Sequence, residues 1–313
     1  MTVTALPANA AVLGAGTIGR SAGILLAAHG VRVTLVTRRA QAAAEAPQAI
    51  DRRLTELTGL GAFTATQADA ARARIAARVG LPEGESFGLI FEAVGEQLDH
   101  KRAVLAAAEP SLAAGGVLAT TTSSLPLAEL AAALSVPERF AGWHFFHPAD
   151  LMSLVEIVPG DRTDPAVLGR LRAWSEQLDR RPIVLRRDVP GFVANRLQYA
   201  LLREAYALVE SDVCALHDVD IAVTAGLGAR WATLGPFATM DLAGLEVHAA
   251  VVAALFPLLS GAAEPPAELV ALRANGAGGA RAGLGLLGDY SPERVRELET
   301  RRDETLIALR GRG

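Results

Sequence analysis

The sequence predicts an α/β fold: an N-terminal, doubly wound, mostly parallel sheet followed by a smaller all-α domain. Three observations predict it. Apolar, β-branched runs alternate with Ala/Leu-rich helical segments from about residue 11 to residue 146. A glycine-rich turn at 14–19 joins the first apolar run to the first helical segment. After RPIVLRRDVPG (181–191) the alternation stops and only helical periodicity continues. The expected boundary divides the chain into a nucleotide-binding domain at 1–188 and a helical domain at 189–313.

The elements follow in order. Residues 11–37 read as strand, glycine turn, helix ending at His29-Gly30, and a second strand, VRVTLV. Residues 40–79 read as polar-faced helix, broken near Gly59-Leu60-Gly61. FGLIFEAV (87–94) reads as a buried strand, 98–112 as an amphipathic helix, GVLATTT (116–122) as a strand, 127–134 as a helix, and RFAGWHFF (139–146) as a further strand. In the second domain the expectation is a long helix at 191–212, apolar on two faces, with helices at 217–229, 236–260 and 291–310. The Gly/Pro-rich stretch 257–288 reads as irregular connection.

Composition narrows the function classes. The chain has 313 residues, 51% of them hydrophobic, with a net charge of −4 and no long run of one sign. That excludes nucleic acid or an anionic membrane as the main partner. No apolar run reaches membrane-spanning length, no signal sequence is evident, and Cys214 is the only cysteine. The expectation is a soluble cytoplasmic protein without disulfide or metal. Of 30 basic residues, Lys101 is the only lysine. A lysine that persists against such a bias raises the question of what an arginine could not do there.

The turn Gly14-Ala15-Gly16-Thr17-Ile18-Gly19 has the strand–turn–helix context that GxGxxG requires. Gly14 makes the tight turn, Gly16 admits a pyrophosphate against the backbone, and Gly19 lets helix and strand pack closely. Gly14, Gly16, Thr17, Ile18 and Gly19 are the candidate phosphate-side contacts. An acidic residue at the end of the second strand would bind the ribose 2′-hydroxyl of NAD. This chain has Thr37, Arg38 and Arg39 there. A hydroxyl and two guanidiniums attract a 2′-phosphate, so NADP(H) is favoured over NAD(H).

The candidate site is organised by 139–159, RFAGWHFFHPADLMSLVEIVP. His144 stands at a strand end and Glu156 twelve residues later in a second apolar run. A carboxylate-oriented imidazole is a general acid/base. Ser123 follows the strand at 116–122 and is placed to donate to a substrate oxygen, with Ser124 the expected helix cap. Phe192, Asn195, Tyr199, Leu202, Tyr206 and Val209 fall on one helix face, and Asn195 is its polar member. Arg230, beside a glycine turn, is the candidate anchor for a substrate carboxylate.

GAGTIG (14–19), EAVGEQLDHK (92–101), TTSSL (121–125), HFFHP (144–148), LVEIVP (154–159) and PGFVANR (190–196), in this order, resemble the 3-hydroxyacyl-CoA dehydrogenase superfamily over nearly the whole chain. The likeness is greater to the branch acting on small free acids, typified by L-gulonate 3-dehydrogenase (lambda-crystallin) and L-carnitine dehydrogenase. A related group is the ketoreductases of aromatic polyketide pathways. The resemblance implies a Rossmann-like first domain and a homodimer. It implies His144 as acid/base, Glu156 as its orienting carboxylate, and Ser123 and Asn195 as contacts to the reacting oxygen. It implies Glu96 and Lys101 as cofactor contacts. His147 departs from the family's asparagine and becomes a candidate substrate contact. Three readings stay open: a 3-hydroxy acid/3-oxo acid oxidoreductase, a 3-hydroxyacyl thioester dehydrogenase, and a non-catalytic nucleotide-binding structural protein.

Overall fold

The structure, a computed structural model, describes residues 4–310. It divides into two compact units, Met1–Asn195 and Arg196–Gly313.

The first unit is built on one eight-stranded sheet: β1 (Asn9–Leu13), β2 (Arg32–Thr37), β3 (Ile75–Val79), β4 (Phe87–Glu92), β5 (Leu112–Thr120), β6 (Phe140–Phe145), β7 (Leu154–Pro159) and β8 (Arg181–Val184). Their order is β3-β2-β1-β4-β5-β6-β7-β8, parallel throughout except between β6 and β7, which are antiparallel. The helices are α1 (Thr17–Ala28), α2 (Ala40–Gly59), α3 (Ala65–Arg74), α4 (Leu98–Ala108), α5 (Leu127–Ala131) and α6 (Pro165–Gln177). The strand order reverses direction at β1, between β2 and β4, which opens a crevice beyond the carboxyl ends of the strands. The residues paired across the sheet near that edge run Val36, Leu13, Glu92, Thr120 and Gly142. The charged or polar side chains at the ends of otherwise apolar strands therefore share one rim.

Two expectations for this unit are corrected. Residues 40–79 are not all helical: α3 gives way to the edge strand β3 at Ile75. Its sequence, IAARV, is rich in Ala and Arg, which favour helices, and only its pairing with β2 makes it a strand. The helix expected to run to 112 ends at Ala108, and β5 begins at Leu112. The structure adds α6, whose start is fixed by Asp164: its carboxylate accepts from Ala166 N at 2.8 Å, and Pro165 occupies the first turn. α6 covers the sheet face on which Trp143 lies, and the Trp143 indole donates to Ser175 Oγ at 2.9 Å. Trp143, Phe145 and Phe91 pack edge to face, with centroids 4.8–5.7 Å apart. Alternation along β6 then turns His144 to the opposite face.

The second unit is helical. α7 (Ala194–Glu210) enters it and is followed by α8 (Leu216–Ile221), a π-helical stretch Ala222–Gly228, α9 (Ala229–Trp231), α10 (Pro236–Ala243), α11 (Leu245–Leu255), α12 (Ala267–Ala274) and α13 (Pro292–Arg310). A minimal hairpin, β9 (Leu284–Gly285) with β10 (Gly288–Asp289), lies between the last two. The stretch 257–288, expected to be irregular, thus contains α12. α7 is shorter than expected, and no residue of it is buried. Among the described residues beyond Asn195, only Thr239, Ala277 and Asp303 are buried, while Phe237 is 84% and Leu258 77% exposed. Leu202, Tyr206 and Val209 of α7 line an open cavity of about 490 Å³ together with residues of α8, α12 and the hairpin segment. No single helix among the described residues is long and apolar enough to cross a membrane.

Candidate active site

Gly14 adopts φ +108, a conformation that suits glycine, and a Cβ there would meet Ala93 O at 2.6 Å. A Cβ on Gly19 would meet Gly14 O at 1.9 Å, so α1 can approach β1 only without a side chain at that position. Gly16 has nothing within 4 Å of its would-be Cβ, and Gly16 and Thr17 are exposed. The first and third glycines are thus consumed by packing, whereas the second faces open space. α1 begins at Thr17 with no side-chain cap. Its first N–H groups are available to an anion, and this cradle fits the pyrophosphate of a dinucleotide. Ile18 is half-buried beneath the same turn.

At the end of β2, Thr37 is buried and its hydroxyl donates to the carbonyls of Arg39 (3.0 Å) and Arg78 (3.4 Å). Its proton is therefore directed into the turn, away from an incoming ligand. Arg38 and Arg39 are exposed, and no carboxylate stands at the end of this strand.

The next two strand ends form a closed ionic cluster. Glu92 and Lys101 are both fully buried. Lys101 Nζ lies 2.8 and 2.9 Å from the two Glu92 oxygens, 3.1 Å from Val94 O and 3.3 Å from Glu96 Oε2. Thr120 Oγ1 donates to Glu92 Oε2 at 2.6 Å and Val94 N to Oε1 at 2.6 Å. Glu96 Oε1 accepts from the hydroxyl of Thr122 (2.5 Å), the N–H groups of Ser123 (2.9 Å) and Ser124 (3.1 Å), and the Ser124 hydroxyl (3.1 Å). Burial alone would push the Glu96 carboxyl up; the bonds from Thr122, Lys101 and Ser123 outweigh it and hold it below the usual carboxylate value. Ser124 is not the cap of α5. That role falls to Asp188, whose carboxylate accepts from Leu127 N at 2.8 Å. Ser123 gives only its backbone N–H to the cluster, so its hydroxyl stays outside it.

His144 and Glu156 are directly opposite each other in the β6–β7 pairing. Twelve residues of sequence separation become a cross-strand pair because the chain turns back and β7 runs antiparallel. His144 Nδ1 is 2.9 Å from Glu156 Oε2, and Glu156 is fully buried. The other oxygen, Oε1, accepts from Val193 N and Ala194 N, each at 2.9 Å. One carboxylate thus orients the imidazole and ties down the start of α7, on which Asn195 is the next residue. Burial would raise the Glu156 carboxyl; the hydrogen bond with His144 and those from Ala194 and Val193 prevail, and it stays below the ordinary range. Phe192, buried at φ +50, packs edge to face on His144 with centroids 5.4 Å apart, and Phe146 does so at 4.5 Å. A bulky residue at positive φ is strained, and here the strain places an aromatic wall against the imidazole. Phe145 N donates to Thr121 Oγ1 at 3.3 Å, which joins the Ser123 turn to the strand bearing His144.

The fold thus brings His144, Glu156, Ser123, Glu96, Lys101 and the glycine turn to one rim of the sheet, with Asn195 beside the dyad. His147 is exposed in the turn after β6. Arg230 is exposed on α9 in the second unit. Sequence reasoning gave no role to Glu92, to Thr122, or to the bidentate pair of Arg53 with Asp150 (2.8 and 2.7 Å), the latter fully buried in the turn after His147. The signals were present: a glutamate ending an apolar strand and a charged residue inside the HFFHPADL run.

An imidazole held by a carboxylate, together with a glycine turn at the crevice of a doubly wound sheet, forms the arrangement expected of a dinucleotide-dependent oxidoreductase. The chain belongs to the 3-hydroxyacyl-CoA dehydrogenase family: residues 9–189 match the family's NAD-binding domain and residues 191–286 its C-terminal domain. It is 30% identical over 302 residues to 5-formyl-3-hydroxy-2-methylpyridine 4-carboxylate 5-dehydrogenase of Mesorhizobium japonicum, covering 96% of this chain and 97% of that one. It is 33% identical over 236 residues to L-carnitine dehydrogenase of Streptomyces coelicolor, covering 75% of this chain and 73% of that one. The crystal structure of a 5-formyl-3-hydroxy-2-methylpyridine 4-carboxylic acid 5-dehydrogenase, described as an NAD+-dependent dismutase, superposes with a TM-score of 0.87 at 30% identity, over 97% of this chain and 98% of that one. The protein is therefore a dehydrogenase-type enzyme acting on CH–OH groups with a nicotinamide cofactor.

Proposed function

We propose that the protein interconverts a small 3-hydroxy acid and its 3-oxo acid, using NADP(H) in preference to NAD(H), with His144 and Glu156 as the acid/base pair. The buried His144–Glu156 contact of 2.9 Å carries this reading. The cofactor, when bound, takes up or supplies the hydride. In the oxidative direction His144 Nε2 accepts the substrate hydroxyl proton; in the reductive direction it returns it. The bond from Nδ1–H to Glu156 keeps Nε2 in the proton-accepting tautomer and stabilises the imidazolium that forms. Ser123 and Asn195 donate to the reacting oxygen. Glu96 offers Oε2, the oxygen with only one long contact, to a cofactor hydroxyl. Gly14, Gly16, Thr17, Ile18 and Gly19 form the phosphate cradle, and Arg38 and Arg39 take the 2′-phosphate, with Thr37 shaping the turn that presents them.

The free-acid reading is supported over the thioester one by the helix α2 region. A carrier's phosphates need basic contacts there, and residues 40–62 carry only Arg52 and Arg53 against Glu45, Asp51 and Glu56. Arg53 is committed to Asp150. Arg230 is assigned to the substrate carboxylate, and His147 lines the acid's side of the site. The exposed apolar residues of α10 and α11 suit cover by a second copy, hence a homodimer. The test is NADPH and NADH oxidation with a panel of 3-oxo acids and their thioesters. Turnover of free acids with NADPH supports the proposal; turnover confined to thioesters, or to NADH, overturns it.

A further inference from the structure

The connection between the two strands of the acid/base pair carries an ion pair that the proposed chemistry does not use. Arg53 of α2 reaches the carboxylate of Asp150, 97 residues further on, with Nε 2.8 Å from Oδ2 and Nη2 2.7 Å from Oδ1. We infer that Arg53 and Asp150 are positioning residues: their bond ties α2 to the segment 146–153 and so fixes His147 for the substrate. The inference rests on the assignment of His147 to the substrate made above, and it names what holds that residue in place.

Three observations carry it. First, the sheet holds the acid/base pair but not His147. The β6–β7 pairing runs from Ala141 with Pro159 to Phe145 with Val155, so His144 and Glu156 lie within it. His147 lies beyond the last pair, and the segment that carries it depends on other bonds. Second, those bonds converge on Asp150. Its carboxylate takes the Arg53 fork, and its carbonyl accepts from Arg180 Nη2 at 2.9 Å. The turn around it is closed by Leu151 N and Met152 N, which donate to Pro148 O at 3.0 and 2.8 Å. Asp150 is fully buried and the Arg53 side chain is 20% exposed. Desolvation offsets much of the attraction in such a pair, so what the fork supplies is a fixed direction and distance. Third, of residues 146–153 His147 alone is exposed, while Pro148, Ala149, Asp150 and Leu151 are buried. The anchored segment thus presents one side chain outward, and a shift of Asp150 three residues away is passed on to it.

The Arg53→Met/Asp150→Asn pair removes one charge of each sign, so no uncompensated charge is buried. Arg53→Lys keeps the charge and loses the fork, and it serves alone should the double variant fail to fold. Hydrogen exchange of the Leu151 and Met152 amides reads the turn without turnover. KM and kcat are read with whichever panel substrate, acid or thioester, the wild type turns over best. In both variants the two amides should exchange at least about tenfold faster. KM should rise at least about tenfold with kcat within about threefold, since the β6–β7 pairing still holds His144 and Glu156. His147→Ala should raise KM to a similar extent. Added to either variant it should raise KM further by no more than about twofold, because the ion pair acts through that side chain. Unchanged exchange in the variants overturns the inference, as do KM effects that multiply when His147→Ala is added. If His147→Ala alone leaves KM unchanged, the substrate assignment of His147 has failed and the inference with it, whatever the exchange shows. If His147→Ala raises KM and the ion-pair variants do not, the assignment stands and the inference alone has failed.

Discussion

Glu156→Gln separates the two tasks of the buried carboxylate. In the wild type, Oε2 serves His144 Nδ1 and Oε1 serves the N–H groups of Val193 and Ala194. A glutamine has one oxygen. If that oxygen keeps the two backbone donors, the amide N–H₂ faces His144 Nδ1 and makes it an acceptor. The ring proton then moves to Nε2, and the group that should accept the substrate proton already holds one. An oriented carboxylate replaced by its amide in a catalytic triad costs about 10⁴ in kcat through this tautomer effect, or roughly 5 kcal/mol of barrier. If the amide rotates the other way, two buried N–H donors face a third, at about 1–3 kcal/mol for each bond lost, and the start of α7 with Asn195 loosens. The first orientation predicts a kcat reduced about 10³–10⁴-fold in hydroxyl oxidation with little change in Tm; the second keeps the tautomer but lowers Tm by several degrees, and still reduces kcat by more than about tenfold because an uncharged amide no longer stabilises the imidazolium. Stopped-flow cofactor absorbance and thermal melts measure the two effects. A variant within tenfold of wild-type kcat would refute the assigned role of Glu156.

Three further outcomes follow from the same geometry. Gly19→Ala places a Cβ at 1.9 Å from Gly14 O and should lower Tm markedly, whereas Gly16→Ala, with nothing within 4 Å, should leave Tm unchanged and weaken cofactor binding. Arg38→Ala/Arg39→Ala should lower kcat/KM for NADPH by about 10²-fold, at about 1.5–3 kcal/mol for each charge-assisted contact to phosphate, and leave NADH within about threefold. Equal loss with both cofactors would remove the arginines from the 2′ position. Glu96 and Glu156 are both held below the ordinary carboxylate value of 4.5. Their stabilisation is therefore present above that value and lost as pH falls through the lower, folded-state values. Glu96→Gln should flatten the acid side of a denaturation-versus-pH curve; an unchanged slope would show that the Glu96 hydrogen bonds add no pH-linked stability.

The parts of the fold that follow from local pattern were legible in the sequence. β1, α1 and β2 are set by an apolar run, a glycine turn and a β-branched run, each unambiguous in its period. The position of His144 was legible too, because FAGWHF alternates and places Trp143 and His144 on opposite faces. The edge strand β3 was not, since IAARV has helix-forming residues and becomes a strand only by pairing with β2. α6 was overlooked although Asp164-Pro165 is a helix-start signal. Long-range ionic pairings lie beyond any local pattern: nothing within ten residues of Arg53 indicates Asp150, and Glu92 gives no sign of its bonds to Lys101 and Thr120 until β4, β5 and α4 are side by side. The apolar faces of α7 were legible but their exposure was not, because periodicity reports that a face wants covering, not what covers it.

The central claim is that His144 moves the proton while other residues hold the cofactor. The most direct measurement is the comparison of His144→Gln with the wild type in two quantities: NADPH Kd by fluorescence titration, and turnover of the best 3-oxo acid from the panel. The account predicts a Kd within about threefold and a kcat lower on the order of 10³-fold. Turnover within a few-fold of wild type would contradict it.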